Sequence, residues 1–435
     1  MRDALLLLFL GASLIAALRY PYAAVLLWAW FTLAAPQQGA WSAIGLPLNM
    51  PIVAIAMASI IYHGDIFRLR WSAQLVFIVA FTLWLFVAQA FSLAPEISAI
   101  HFDRFWKVML FVIIVSVATT DRLRFMGLLW ILILVIGFFG AKGGMYTFQT
   151  LGKQIYFGTD GTVLGDNNHV GIAMAACLPL ILFAGHYAVN RWTRMLTWVV
   201  FFLTLVAIFG TYSRGALISL LAFGGLLWFY SRHKILIASA AIGVAAIALA
   251  VAPGEWTQRM GTITEADEDS SFLARVDAWV INWELAKANP LTGAGLRASY
   301  EPEVAELVVT DREPRAAHSI YFEILGGTGF IGLFLFLAFY ASGVISALRT
   351  SFNRSLTPWR QHFGRYSAMS LIVFAIGGSS VSMEMWEGYL IILVLANAVG
   401  RLPDQVRPLG RPKTPMLDRI RERGENSRAA DENPA

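Results

Sequence analysis

Charged residues are scarce in this chain of 435 residues. They make up 14% of the sequence and hydrophobic residues 57%, whereas a soluble globular protein carries about 25% charged residues. So few charges cannot cover a water-facing surface of this size. The composition therefore argues against a soluble enzyme, a disordered chain or a fibrous protein. It predicts a polytopic membrane protein whose apolar exterior is solvated by lipid.

Cysteine is nearly absent, and several common motifs are missing. The single cysteine, Cys177, lies in an apolar run, which excludes a disulfide framework and a cysteine-based zinc site. The seven histidines are scattered, and the carboxylates lack the spacing of metal ligands. There is no Walker motif, dinucleotide fingerprint or nucleophile elbow. We therefore expect no metal, no ATP and no other cofactor.

Apolar runs long enough to cross a bilayer recur along the chain. The predicted fold class is an all-α polytopic membrane protein with 12 transmembrane helices, or 13 if the two short runs on either side of Arg19-Tyr20-Pro21 each cross. The predicted segments are 3–18, 21–35, 46–62, 73–92, 105–120, 125–141, 168–186, 195–211, 215–230, 235–252, 328–348, 366–382 and 387–400.

Lysine and arginine collect in the loops of one side if these segments alternate. On that assignment one side carries a net charge of +13 and the other −8, which the overall value of +5 conceals. The basic side is expected to be cytoplasmic. The net charge therefore reflects orientation in a membrane, and we expect no nucleic-acid partner.

One segment between the predicted spans is much longer than the rest. It carries twelve acidic and six basic residues between 253 and 317. The apolar spacing over 272–288 predicts an amphipathic helix that Ser270 or Ser271 caps and Asn289-Pro290 ends. A second helix is expected to begin near Ala317. The chain thus divides into an N-terminal transmembrane bundle (1–252), a helical outer layer (253–327), C-terminal transmembrane helices (328–400) and a flexible basic tail (401–435).

Two arginines stand on the outer side, against the charge pattern. Arg214 lies where two spans meet, and it is expected to bind an anion; pairing with a carboxylate such as Glu384 is the alternative. Arg275 is placed in the first turn of the amphipathic helix, where the helix dipole repels a cation. An anionic ligand or a carboxylate partner would explain it there.

Two histidines and three charged residues complete the outer candidates. His318 is expected to open a helix over 318–325, either as a packed histidine or as a general base. His169 follows Asp166-Asn167-Asn168, a run that fits a helix cap equally well. The secondary candidates are Arg104, Glu384 and Glu387. Guanidinium groups suit a diphosphate lipid, and a neutral histidine can deprotonate a hydroxyl, a combination typical of glycosyl transfer from a lipid-linked donor.

Three segments of the chain resemble the O-antigen ligase superfamily. Thr211-Tyr212-Ser213-Arg214-Gly215-Ala216 is similar to the family's Ser-Arg-Gly at the end of a span. Arg275-Val276-Asp277-Ala278-Trp279, followed by Asn289-Pro290-Leu291-Thr292-Gly293-Ala294-Gly295, resembles its Arg-x-x-x-Trp and Pro-x-x-Gly-x-Gly. Ala317-His318-Ser319-Ile320-Tyr321, followed by Gly326-Gly327-Thr328-Gly329, resembles its His-Asn-x-Tyr and Gly-x-x-Gly, with Ser319 where asparagine is usual.

The N-terminal third points to a subgroup. Leu27-Trp28-Ala29-Trp30, Lys142-Gly143-Gly144 and Gly165-Asp166-Asn167-Asn168 are similar to O-glycosylation ligases that occur with exosortase systems.

The resemblance implies a bacterial inner-membrane glycosyltransferase of the GT-C type. Such an enzyme would move a glycan from undecaprenyl diphosphate to a hydroxyl of lipid A–core on the periplasmic side, without metal or ATP. Arg214 and Arg275 match the arginines that hold the diphosphate, and His318 matches the base. Glu384 or Glu387 would fill the family's acidic position in the last outer turn. One displacement step would invert the anomeric centre.

Other functions remain open at this stage, among them a structural or assembly membrane protein, which would not need Arg214, Arg275 and His318 together. The acceptor would be a protein in an O-glycosylation ligase, or a growing glycan in a polymerase. A transporter of lipid-linked sugars is a different class, and it predicts charges deep within several spans. In this sequence the charges cluster at the outer rim instead.

Overall fold

The computed structural model describes residues 2–39, 48–62, 64, 71–251, 253–261 and 270–403, so most of the predicted tail lies outside the described residues. Over these residues every regular element is a helix. The α-helices run over Arg2–Arg19 (α1), Pro21–Ala34 (α2), Asn49–Tyr62 (α3), Ala73–Ala90 (α4), Pro95–Ala118 (α5), Arg122–Gln149 (α6), Asn167–His186 (α7), Arg191–Gly210 (α8), Arg214–Tyr230 (α9), Lys234–Val251 (α10), Gly254–Gly261 (α11), Ser270–Ala288 (α12), Pro302–Ala305 (α13), Ile320–Phe352 (α14), Pro358–Gly378 (α15) and Glu387–Ala398 (α16).

A helix lies on each of the thirteen predicted segments. Within the described residues, five helices are both long and apolar enough to cross a membrane, namely α4, α6, α7, α8 and α14. Shorter apolar helices occupy parts of α2, α3, α9 and α10. The all-helical character and the membrane-helix composition are thus confirmed, and the total of 12 crossings stays a prediction.

Short polar side chains fix where several helices begin. The side chains of Ser72, Asp121, Asn190 and Ser213 each accept a hydrogen bond from the backbone N–H three residues ahead, at the starts of α4, α6, α8 and α9. Each cap satisfies a backbone donor that the first helical turn leaves unpaired.

The helix α7 forms the centre of the bundle, and 83% of an apolar stretch of 18 residues within it is buried. Glycines let its neighbours approach closely. A Cβ added at Gly171 would lie 2.7 Å from Cβ of Ala216 on α9, and one at Gly377 on α15 would lie 2.6 Å from Ile172. Small residues at such crossings are typical of helix packing in membranes. Cys177 lies in the same helix and is fully buried.

Basic residues from separate helices gather at one end of the bundle. The Arg122 guanidinium lies 4.7 Å from the Trp359 ring centre, and that of Arg365 lies 5.5 Å from the Tyr230 ring centre. The starts of α6 and α15 and the end of α9 therefore meet there. The starts of α7, α9, α14 and α16 lie at the other end, which carries His318.

A second, smaller core supports the layer at the His318 end. It joins α12, the loop after it and α13, and it is separate from the main core of the bundle. Its buried members are Ile281, Leu285, Ala294, Ala298, Val304 and Ala305.

Candidate active site

The long helix α14 is broken near its start, and a glycine turn fills the break. Gly329 has φ 71° and ψ −174°, so the chain leaves the helical conformation there. The N–H of Phe330 donates to the carbonyl of Pro290 at 2.9 Å, and the N–H of Ala294 donates to that of Gly326 at 2.8 Å. The two glycine motifs of the sequence thus pair through their backbones, and they position the outer layer on the bundle.

Close contact in this turn requires glycine. Gly293 has φ 68°, and a Cβ there would lie 2.6 Å from the Gly326 carbonyl oxygen. A side chain would therefore separate the two segments.

Arg214 is the first residue of α9, directly after the Ser213 cap. The preceding Tyr212 has φ 55°, and its hydroxyl donates to the carbonyl of Gly152 at 2.5 Å. The side-chain amide of Asn167 donates to the Thr211 carbonyl at 2.7 Å. The turn that carries Arg214 is thereby attached to the start of α7.

Arg275 lies in the second turn of α12, because this helix begins at Ser270. The prediction of the first turn was wrong, and the helix dipole bears less on the guanidinium than expected. Its helix neighbour Asp277 forms an ion pair with Arg312. A second neighbour, Trp279, donates its indole N–H to the carbonyl of Ala317 at 2.7 Å, which ties α12 to the residue before His318.

His318 precedes α14 and does not open it. Its φ of 46° is left-handed and incompatible with a helical turn, so the predicted helix over 318–325 begins only at Ile320. Both backbone groups of Ala317 are held, the carbonyl by Trp279 and the N–H by the Glu323 carboxylate at 3.0 Å. The half-buried imidazole therefore stands on a fixed backbone.

Several charged groups share the surroundings of His318. Burial lowers the pKa of His318 below its ordinary value, and the positive charge of Arg275 lowers it further. Smaller effects come from His169 and Arg297, which lower this pKa, and from Asp166, which raises it. Arg275 and His169, which the sequence predicted, therefore share the electrostatic surroundings of His318 with Asp166 and Arg297. A neutral imidazole beside guanidinium groups can accept a proton while an anion is held nearby.

Glu384 and Arg104 belong to an adjoining set of groups. Glu384 is buried, and a terminal nitrogen of Arg297 lies 4.0 Å from its Oε1. Burial and the Glu323 carboxylate raise the pKa of Glu384, whereas the charges of Arg297 and Arg104 lower it. Glu387 is the buried first residue of α16. Arg297 therefore connects the histidine set with the carboxylate set.

Glu323 and Arg297 are absent from the sequence prediction. Oε1 of Glu323 accepts hydrogen bonds from the Tyr300 hydroxyl at 2.6 Å and the Ser382 hydroxyl at 2.7 Å, besides that from Ala317. A carboxylate within an apolar run was the available signal for Glu323. For Arg297 it was a cation two residues after the Gly-x-Gly turn in an acidic segment.

His169 and Asp166 occupy the start of α7. Oδ1 of Asp166 accepts the N–H of Asn168 at 2.8 Å and that of His169 at 3.3 Å, so Asp166 caps the helix. Among the described residues, no three histidine, cysteine or carboxylate side chains lie close enough to hold a metal ion.

Comparison with known proteins divides the chain into two matched parts. Residues 199–337 match the O-antigen ligase family, and they include Arg214, Arg275, Arg297 and His318. Residues 1–189 match a family of unknown function (DUF5935) and include Arg104 and His169. No curated protein matches the chain. The chain is therefore helical over its described residues, several of its helices have the length and composition of membrane spans, and its residues 199–337 match the O-antigen ligase family.

Proposed function

We propose that this protein transfers a glycan from undecaprenyl diphosphate to a hydroxyl of lipid A–core, at the periplasmic face of the bacterial inner membrane. One observation carries the proposal. A half-buried histidine with a lowered pKa shares its surroundings with Arg275 and Arg297, inside the part of the chain that matches the O-antigen ligase family.

The reaction breaks the bond between the anomeric carbon and the diphosphate and forms one to the acceptor oxygen. His318 takes the proton that the acceptor hydroxyl loses, because its lowered pKa keeps the ring neutral. Arg214 and Arg275 hold the diphosphate and stabilise the negative charge that grows on it as it leaves. The leaving group is already activated, so the step needs neither ATP nor a metal. Direct displacement inverts the anomeric centre.

A protein O-glycosylation ligase is the second candidate. It is favoured by the resemblance of Lys142-Gly143-Gly144 and Gly165-Asp166-Asn167-Asn168 to O-glycosylation ligases, and the acceptor can differ between enzymes that share the transfer chemistry. A polymerase would use the same residues with a glycan acceptor. A transporter would not need a base beside the arginines.

The test is a transfer assay on the purified full-length protein with undecaprenyl-diphosphate-linked glycan and lipid A–core. Arg214→Ala, Arg275→Ala and His318→Ala are each expected to lower the rate by a factor of 100 or more, in line with the loss of a charge-stabilising or proton-accepting group. Arg315→Ala is the matched control, because Arg315 is an exposed arginine paired with Glu313 in the same segment.

Three results would contradict the proposal. Full activity of His318→Ala would show that His318 is not the base. Transfer that depends on ATP or added metal would exclude the mechanism. A product whose anomeric configuration is retained, as assigned by NMR, excludes a single displacement.

A further inference from the structure

The capping role of Asp166 leaves the His169 side chain unexplained. His169 stands in the first turn of α7, within the part of the chain that matches a family of unknown function. Its backbone N–H takes part in the cap, but its ring extends from the helix and is half-buried. The cap therefore does not account for the ring.

The hydrogen bond of the His169 ring fixes its tautomer. Nδ1 lies 2.7 Å from the carbonyl oxygen of Val163. A carbonyl only accepts, so Nδ1 carries the hydrogen and donates. In the neutral ring Nε2 then has no hydrogen and presents a lone pair. His169 is thus prepared to accept a hydrogen bond at Nε2.

Packing places the two histidines at the same end of α15. Ile172 stands one turn after His169, and a Cβ added at Gly377 would lie 2.6 Å from it. Ile320 stands two residues after His318. A Cβ added at Gly378, the residue after Gly377, would lie 2.6 Å from Ile320. The segment that carries His169 and the segment that carries His318 thus pack against neighbouring residues of α15. The electrostatic effect of His169 on His318 agrees with this placement.

We propose that His169 is an acceptor-binding residue, whose Nε2 accepts a hydrogen bond from a hydroxyl next to the one that gives its proton to His318. The inference rests on the proposed function and specifies its acceptor. Two hydroxyls side by side are a feature of sugars, whereas a serine or threonine side chain offers one. If the acceptor has a single hydroxyl, Nε2 of His169 loses its hydrogen bond to water when the acceptor binds and gains no new one. The acceptor then binds more weakly. The acceptor is therefore a glycan.

Two substitutions at His169 test the roles of the two ring nitrogens one at a time. In His169→Asn the amide nitrogen takes the place of Nδ1 and can still donate to Val163, but nothing replaces Nε2. In His169→Gln the amide reaches the position of Nε2, where its oxygen can accept. His169→Asn is expected to raise the KM for lipid A–core about tenfold. The KM for the donor should stay at its wild-type value, and His169→Gln should recover part of the loss.

An acceptor analogue gives a measurement that does not depend on the folding of a variant. Lipid A–core lacking the hydroxyl next to the glycosylated one should show the raised KM with the wild-type protein, and His169→Asn should add nothing further with this analogue. A serine-containing peptide should be a poor acceptor.

The outcomes distinguish the inference from the proposed function. A wild-type KM for lipid A–core in His169→Asn overturns the inference alone. Efficient transfer to the peptide overturns the inference and favours the protein O-glycosylation ligase over a lipid A–core acceptor. An equal rise in donor KM also overturns it, because the loss would then not be specific to the acceptor. Absence of transfer by the wild-type protein to any acceptor overturns the proposed function and the inference together.

Discussion

The carboxylate of Glu323 connects three separate parts of the candidate active site. One of its oxygens accepts hydrogen bonds from Tyr300 in the outer layer, from Ser382 after α15 and from the backbone of Ala317. Ala317 directly precedes the proposed base. Since the backbone at His318 is left-handed, it depends on such neighbours to hold it.

Replacing Glu323 is expected to displace His318. Glu323→Ala should lower kcat for transfer about a hundredfold, because a small misplacement of a catalytic group costs this much, with little change in the KM for the donor. Glu323→Gln keeps an acceptor oxygen and should lose less. Steady-state kinetics on both variants test this, with the exposed Glu303→Ala as control. Equal losses in the Ala and Gln variants would show that charge, not hydrogen bonding, is what matters.

The pH dependence of transfer should reflect the surroundings of His318. Since burial, Arg275, His169 and Arg297 lower its pKa and only Asp166 raises it, the base stays neutral to lower pH than a free histidine of pKa about 6.5. The rising limb of kcat/KM should therefore lie below that value. Arg297→Gln removes a lowering charge and should move the limb to higher pH. If Arg297→Gln leaves the rising limb at the same pH, Arg297 does not influence the pKa of the proposed base.

Residues within continuous motifs could be predicted from the sequence, but those defined by distant partners could not. Arg275 and His318 belong to recognisable patterns, and the structure places them in one electrostatic environment. Glu323 is defined in part by its contact with Ser382, 59 residues further along. No local pattern encodes that contact.

At the scale of the elements, the apolar runs predicted the helices well and their irregularities poorly. The helix expected near Ala317 and the run predicted to start at 328 together form α14, but hydropathy does not show the break at Gly329 between them. The break depends on backbone bonds to Pro290 and Ala294, which are tertiary contacts. The left-handed conformation of His318 was missed for the same reason.

Filling the glycine turn should destabilise the outer layer. Gly293→Ala introduces a Cβ at a positive φ, 2.6 Å from a carbonyl oxygen, which is expected to cost about 1–3 kcal/mol. A lower melting temperature and a lower transfer rate should result. Gly224→Ala in α9 is the control, since a Cβ there meets nothing within 4 Å. Equal stability of the two variants would contradict the tight turn.

At the scale of the whole molecule, the candidate active site draws on three stretches of chain. His169 comes from the part that matches DUF5935, Arg275 and His318 from the part that matches the O-antigen ligase family, and Glu384 from the end beyond both. The predicted basic loops meet at the opposite end of the bundle. This polarity of the molecule was predictable from charge alone.

The two ends should face different compartments. Reporter fusions within 231–234 are expected to report the cytoplasm and fusions within 290–310 the periplasm, because positively charged loops stay inside. A fusion at Arg354, in the loop before α15, should agree with the first. The same compartment for 231–234 and 290–310 would overturn the predicted number of crossings.

The burial of Cys177 has a practical consequence for chemical labelling. The only thiol of the chain lies fully buried in the central helix, where a water-soluble maleimide has no access in the folded protein. A cysteine introduced anywhere on the surface would then be the sole reactive position, without prior removal of the native one. Spin labels or fluorophores placed on α12 and beside α7 could therefore follow the distance between the outer layer and the bundle as donor and acceptor bind.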